Sequence, residues 1–221
     1  MGDKRLNELL RWSIENTKDS ENDPSVEPQA EARPVSNLTP ELMAALMGGP
    51  SDADLMKGSI EIIGDPEVTL ENKLIAFDNF EQLIENLDNA NNIANLGLWT
   101  PLLEHLRNEE GELRKMAAWC IGTAVQNNER TQERLLAVGG VAPLVELALK
   151  EEESEEVRRK AIYALSSAVR NYQPSMDLCT DELNKRGFTA AKVDAADMEA
   201  VDVIIQGLRE KVKGAAGAAS A

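Results

Sequence analysis

Through most of the sequence, apolar side chains recur three and four positions apart, the spacing that places them on one face of a helix. Leu6, Leu9, Leu10 and Ile14 share such a face, with Trp12 and Ser13 beside it, which predicts a short amphipathic helix over the first fifteen or so residues. From Glu15 to Asn37 the chain is rich in Asp, Glu, Asn, Ser and Pro and nearly lacks large apolar residues. Too little burial is available there to offset the entropy of ordering, so the segment reads as a flexible tether. Thr39-Pro40-Glu41 then offers an N-cap, a proline at the first helical position and an acid in the first turn, and Gly48-Gly49-Pro50 ends the piece. A second short helix is expected from Pro40 to Met47.

Asp52 to Ile63 carries Met56, Ile60 and Ile63 on one face and stops at Gly64-Asp65-Pro66. Thr69 caps the next helix, which the pattern continues to Leu87. The compact domain is expected to begin near Asp52.

Sliding the chain on itself reveals a repeat. Arg114-Lys115-Met116-Ala117-Ala118-Trp119-Cys120-Ile121-Gly122-Thr123-Ala124-Val125-Gln126-Asn127 matches the segment from Arg158 to Asn171, 44 residues downstream. A weaker copy lies 41 residues upstream, where Ala76, Phe80, Leu83, Ile84 and Asn86 take the places of Ala117, Ile121, Ala124, Val125 and Asn127. Leu98-Trp99-Thr100-Pro101-Leu102-Leu103 corresponds in turn to Gly140-Val141-Ala142-Pro143-Leu144-Val145. A period of roughly 40 to 47 residues built only of helices marks armadillo or HEAT units, which bury their faces by stacking. The predicted fold is all-α, an armadillo/HEAT-like solenoid of about three to four repeats behind a flexible N-terminal extension. After Pro174 the period fades, yet Val201, Ile204, Ile205, Leu208 and Val212 form a stripe suited to closing the stack. The expected layout is therefore an amphipathic segment over 1–15, a linker with a short helix over 16–50, the helical domain over 51–213 and a frayed tail over 214–221.

Composition agrees with helices. Only 4% of residues are aromatic, and the apolar set leans on Ala, Leu and Met. The net charge of −16 repels phosphate backbones and anionic lipid, so nucleic acid and membrane are not expected partners. No stretch approaches the roughly 20 apolar residues that span a bilayer. The start, Met1-Gly2-Asp3-Lys4-Arg5, leads into an amphipathic segment, and Leu6 stands where a myristoylation signal needs Ser or Thr. Two cysteines, Cys120 and Cys179, are too few for a disulfide scaffold, which suits a reducing cytoplasmic setting.

Candidate chemistry is sparse. His105 is the single histidine and reads as a surface or satellite residue; no glycine loop cradles phosphate, and the cysteines lack a second pair at metal-ligand spacing. Glu151-Glu152-Glu153 reads as a solvated loop. No enzyme, metal or cofactor is expected.

Equivalent faces of the repeated helices should line the concave side of a solenoid. Trp119 pairs with Tyr163 and Thr123 with Ser167, with Asp78 and Gln82 in the same places of the first unit. The predicted groove wall is Asp78, Gln82, Asn86, Trp119, Thr123, Asn127, Tyr163, Ser167 and Asn171, an aromatic and amide ladder suited to gripping a protein surface. Pattern alone also allows Trp119 and Tyr163 to cover the seam between helices. It equally allows the amide-rich run from Glu85 to Asn92 to shape an interhelical turn.

Ala76-Phe77-Asp78-Asn79-Phe80-Glu81, Glu85-Asn86-Leu87-Asp88-Asn89-Ala90-Asn91-Asn92 with Leu98-Trp99, and Gly122-Thr123-Ala124-Val125-Gln126-Asn127-Asn128 resemble the fungal armadillo-type exchange factors of heat-shock protein 70, relatives of the animal heat-shock-70-binding protein. The likeness extends from Leu9-Leu10-Arg11-Trp12-Ser13-Ile14, through Asp54-Leu55-Met56-Lys57, to Tyr163-Ala164-Leu165-Ser166 and covers roughly three quarters of the chain. Asp181 to Ala221 departs from the pattern.

The resemblance implies a monomeric co-chaperone without catalytic residues, which clasps lobe II of the ATPase domain of cytosolic heat-shock protein 70, speeds ADP release and promotes release of misfolded clients. It places Asn89, Ala90 and Asn91 in a chaperone-contact region. It also implies that Leu9, Leu10, Trp12 and Ile14 act as a substrate mimic entering the chaperone's peptide-binding domain. The alternative is a generic armadillo adaptor that grips an extended peptide in the Trp119 and Tyr163 groove.

Overall fold

The computed structural model describes residues 49–218. The chain divides into Met1–Ser51 and Asp52–Ala221, and the second unit holds every helix described below. The amphipathic segment with Leu9, Leu10, Trp12 and Ile14, the tether, the helix expected from Pro40 to Met47 and residues 219–221 lie outside the described residues.

Ten α-helices follow one another, with no strand among the described residues: α1 (Asp52–Gly64), α2 (Leu70–Ile84), α3 (Leu87–Asn92), α4 (Trp99–Glu104), α5 (Gly111–Val125), α6 (Glu129–Ala137), α7 (Val141–Leu149), α8 (Glu155–Val169), α9 (Gln173–Lys185) and α10 (Met198–Ala218). A 3₁₀ turn, His105–Arg107, follows α4. The solenoid expected from the repeat is present. The three equivalent helices α2, α5 and α8 are each 15 residues long and begin 41 and 44 residues apart, at Leu70, Gly111 and Glu155.

Local chemistry sets the boundaries. The Thr69 hydroxyl accepts from the Asn72 N–H to start α2, and the Ser154 hydroxyl accepts from the Val157 N–H to start α8. Between the short helices the repeat reuses one stop. Gly97 and Gly139 both sit at positive φ, 72° and 74°, where a side chain would be strained. In both, the following N–H reaches back five residues (Leu98 to Ile93, Gly140 to Leu135) and the glycine N–H reaches back three, the double bond of a Schellman stop.

Two boundaries differ from expectation. The helix begun at Leu70 stops at Ile84 instead of reaching Leu87, because the Asn86 side chain accepts from the N–H groups of Asp88 and Asn89 and so starts α3. At the other end, the backbone of α10 continues to Ala218, past the Lys213 limit expected for the helical domain. Alanine, the best helix former, dominates that stretch.

Packing is between equivalent helices. α5 lies between α2 and α8, and its most extensive contact is with α8. Sandwiched on several sides, α5 buries most of its surface, from Leu113, Met116 and Ala117 to Ile121, Ala124 and Val125. Close approach requires small residues: a Cβ on Gly122 would stand 2.5 Å from the Tyr163 ring and 3.1 Å from the Ala164 backbone. Each fully buried leucine or isoleucine contributes about 1.5–3 kcal/mol of transfer free energy, and one continuous core runs from Met56 to Val212. Val201, Ile204, Ile205, Leu208 and Val212 of α10 are buried against α8 and α7, closing the stack as their spacing predicts.

Candidate protein-binding groove

Along the exposed edges of α2, α5, α8 and α10 run two adjoining open cavities that share Trp119 and Tyr163. The smaller, of ≈ 390 Å³, is lined by Glu81, Glu85, Trp119, Thr123, Gln126, Asn127 and Tyr163. The larger, of ≈ 740 Å³, is lined by Lys115, Trp119, Glu156, Arg159, Lys160, Tyr163, Gln206, Arg209 and Lys213. Four residues of the expected ladder, Trp119, Thr123, Asn127 and Tyr163, therefore meet in one groove.

Both aromatics line the groove, and one of them also covers the seam between helices. Trp119 and Tyr163 are half-buried, and Tyr163 covers Gly122 on the α5–α8 seam while its hydroxyl donates to Gln126 Oε1 at 3.1 Å. Trp119 carries the Lys160 ammonium 3.5 Å from its ring centroid. This is a cation–π contact. Burial lowers the Lys160 pKa from its ordinary value, opposed by the charge of Glu81. Asn127 and Asn171, 44 residues apart, both adopt positive φ (52° and 57°) just past their helices. Asparagine is among the few residues that tolerate this.

Other expected wall residues stand elsewhere. Asp78 and Gln82 are exposed and bonded to each other, Gln82 Nε2 donating to Asp78 Oδ2 at 2.8 Å. The face of α2 that meets the groove is instead the one carrying Glu81 and Glu85. Glu81 takes the place that Gly122 and Ser166 hold in later repeats, and its Oε1 accepts from Thr123 Oγ1 at 2.7 Å. A charge where the equivalents are small was the available signal. Asn86 departs from its equivalents because it caps α3. Ser167 is buried, since α8 turns that face inward, toward Gln132 Nε2, which donates to the Ser167 carbonyl. Asn171 is exposed and donates its backbone N–H to the Ala195 carbonyl.

The amide run is mainly architectural. Asn89 Nδ2 donates to Asp52 Oδ2 and to the Leu83 carbonyl, tying α1 to the end of α2. Asn91 Oδ1 is buried without a protein partner. Ala90 is 3% exposed, so its methyl belongs to the core and not to a docking surface. His105 is half-buried, edge-on to Phe77 at 5.6 Å. Among the described residues no group of His, Cys, Asp and Glu is placed to hold a metal, and no helix is long and apolar enough to cross a membrane.

Comparison with known families closes the question of kinship. The family described as nucleotide exchange factor Fes1 matches residues 6–93, and the SIL1/FES1/HPBP1 C-terminal domain matches residues 89–178. An Hsp70 nucleotide exchange factor FES1 of Gibberella zeae is 69% identical over 215 residues, 96% of this chain and 99% of its own. This chain belongs to the Fes1 family. Similar proteins named as Hsp70 nucleotide exchange factors include one from Neurospora crassa, 54% identical across 96% of this chain and 100% of its own length. Another, from Coccidioides immitis, is 53% identical across 94% of this chain and 98% of its own. A crystal structure of an engineered protein shares the Fes1-family fold, with a TM-score of 0.54 at 16% identity over 79% of this chain and 71% of that one. In Fes1-family terms, the second match begins within the amide run, at residue 89, and the first ends just past it, at residue 93, so the two overlap at the end of α3.

Proposed function

We propose that this chain is a co-chaperone that binds the ATPase domain of a cytosolic heat-shock protein 70 and accelerates ADP release, freeing bound clients. The observation that carries the reading is full-length kinship with proteins named for that activity. The groove adds a means. Trp119 and Tyr163, ringed by Thr123, Gln126 and Asn127, have the aromatic-plus-amide makeup of a binding hot spot. Exchange needs no catalytic residue here, only tighter binding of the opened nucleotide cleft than of the closed one. Moving such an equilibrium from 1:99 to 99:1 requires about 10⁴-fold preference.

In this reading the wall is Trp119, Thr123, Asn127 and Tyr163 with Glu81 and Glu85, and Leu9, Leu10, Trp12 and Ile14 engage the chaperone's peptide-binding domain. The protein acts as a monomer in the cytoplasm.

Stopped-flow release of a fluorescent ADP analogue from heat-shock protein 70 tests this, with wild type, with Trp119→Ala and with Leu9→Ala/Leu10→Ala. The expected result is faster release with wild type, loss with Trp119→Ala, and unchanged ADP release with slower client release for the N-terminal variant. Binding to the ATPase domain that is weakened by ATP belongs to an exchange factor. Binding of extended peptides that ignores nucleotide would instead make the chain an armadillo adaptor.

A further inference from the structure

The groove carries opposite charge at its two ends. Glu81 and Glu85 of α2 and the turn after it face one end. Lys115, Arg159, Lys160, Arg209 and Lys213 face the other, against a single carboxylate, Glu156. Lys115 is bonded to Glu112 and Glu156, and Arg159 to Glu155. Lys160, Arg209 and Lys213 have no carboxylate partner among the described residues.

On a chain of net charge −16, gathering these cations on one wall, with Lys160 alone feeling the charge of Glu81, does nothing for solubility. Lys160 is also held in place, its ammonium over Trp119 at 3.5 Å and 5.7 Å from the Tyr163 ring. Within a Debye length of about 8 Å at physiological salt, these local charges outweigh the distant excess of acid. A nucleic acid is negative along its whole length and would meet Glu81 and Glu85 at the far end. A folded protein surface with separated charges suits both ends at once.

We propose that the groove is a polarised clamp. The end formed by Lys160, Arg209 and Lys213 receives carboxylates of the bound ATPase domain, and the opposite end, where Glu85 is exposed and Glu81 is buried behind its bond to Thr123, receives its donors at Glu85. This rests on the chaperone-binding reading above and adds the polarity that sets the partner's orientation. The exposed cations steer encounter, and Lys160, fixed on Trp119, holds the docked carboxylate.

The test is association kinetics with the isolated ATPase domain, for wild type, Arg209→Glu/Lys213→Glu and Arg130→Glu/Arg134→Glu. The last pair lies on α6, which lines neither cavity, and matches the change in net charge. The groove pair should associate about tenfold more slowly at ~0.05 M salt, and the gap should close at ~1 M, where the Debye length is about 3 Å. The α6 pair should change the rate less than about twofold, and Arg209→Lys/Lys213→Arg should restore wild-type behaviour. All four residues are exposed, and circular dichroism will verify that each variant is folded. Equal rates for the groove and α6 pairs would overturn the polarity while leaving exchange intact. Absence of wild-type binding would instead remove the chaperone reading, and this inference with it.

Discussion

The N-terminal ends of α5 and α8 are locked together by one buried ion pair. Arg114 Nε and Nη2 both reach Glu153 Oε2 at 2.5 Å, and Arg114 Nη1 donates to the carbonyls of Asn108 and Glu109 at 2.6 and 2.7 Å. The Glu153 side chain is 4% exposed and that of Arg114 15%. In Arg114→Met, Glu153 keeps only the Ser154 N–H as partner, and two carbonyls lose their donor. Breaking one side of a buried pair costs about 3–5 kcal/mol, and the slight exposure of Arg114 argues for about 3. For a folded unit of this size each kcal/mol is worth roughly 2–4 °C, so Tm should fall by about 6–12 °C. Replacing both partners, Arg114→Met/Glu153→Leu, should recover most of the loss, because the penalty is the stranded charge and not the missing attraction. Urea unfolding followed by far-ultraviolet circular dichroism gives the four corners of the cycle. A loss under about 1 kcal/mol in Arg114→Met, or a double variant equal to the sum of the singles, would refute the reasoning.

Ala90→Arg should fail to fold or melt far below wild type, since it drives a charge into a position 3% exposed; a cooperative near-native melt would show that the site can open. Cys120 and Cys179 should resist a thiol reagent at pH 8 until the protein is unfolded, because burial raises both pKa values, that of Cys179 to about 12. Rapid labelling of the native protein would contradict the packing. Burial, aided by Lys73, lowers the His105 pKa from its ordinary 6.5, so the unfolded chain takes up a proton at higher pH than the native one. Stability should therefore fall as pH drops through 6.5 and level off below the lowered native value. His105→Phe, which keeps a ring beside Phe77, should flatten the profile in that window; an unchanged profile would assign the pH dependence elsewhere.

The repeat was the strongest signal in the sequence because it is written in local terms. The same 15-residue helix recurs at 41 and 44 residues, the caps at Thr69 and Ser154 are read from single hydroxyls, and the two positive-φ glycines mark equivalent stops. Trp119, Thr123, Asn127 and Tyr163 followed from the same alignment. Glu81, Lys160, Arg209 and Lys213 did not, because periodicity gives the faces of a helix and not which face the next helix covers.

Sequence alone determined an all-helical, stacked-repeat protein with a closing stripe on its last helix, since those properties depend on neighbours three and four residues away. Only the tertiary structure decided that Ala90 and Ser167 point inward, that Tyr163 lies on Gly122, and that α10 brings Arg209 and Lys213 beside Lys160. These outcomes depend on how far each helix is rotated against the next. That rotation is set by the volumes packed between helices more than 40 residues apart, a sum that no local pattern contains.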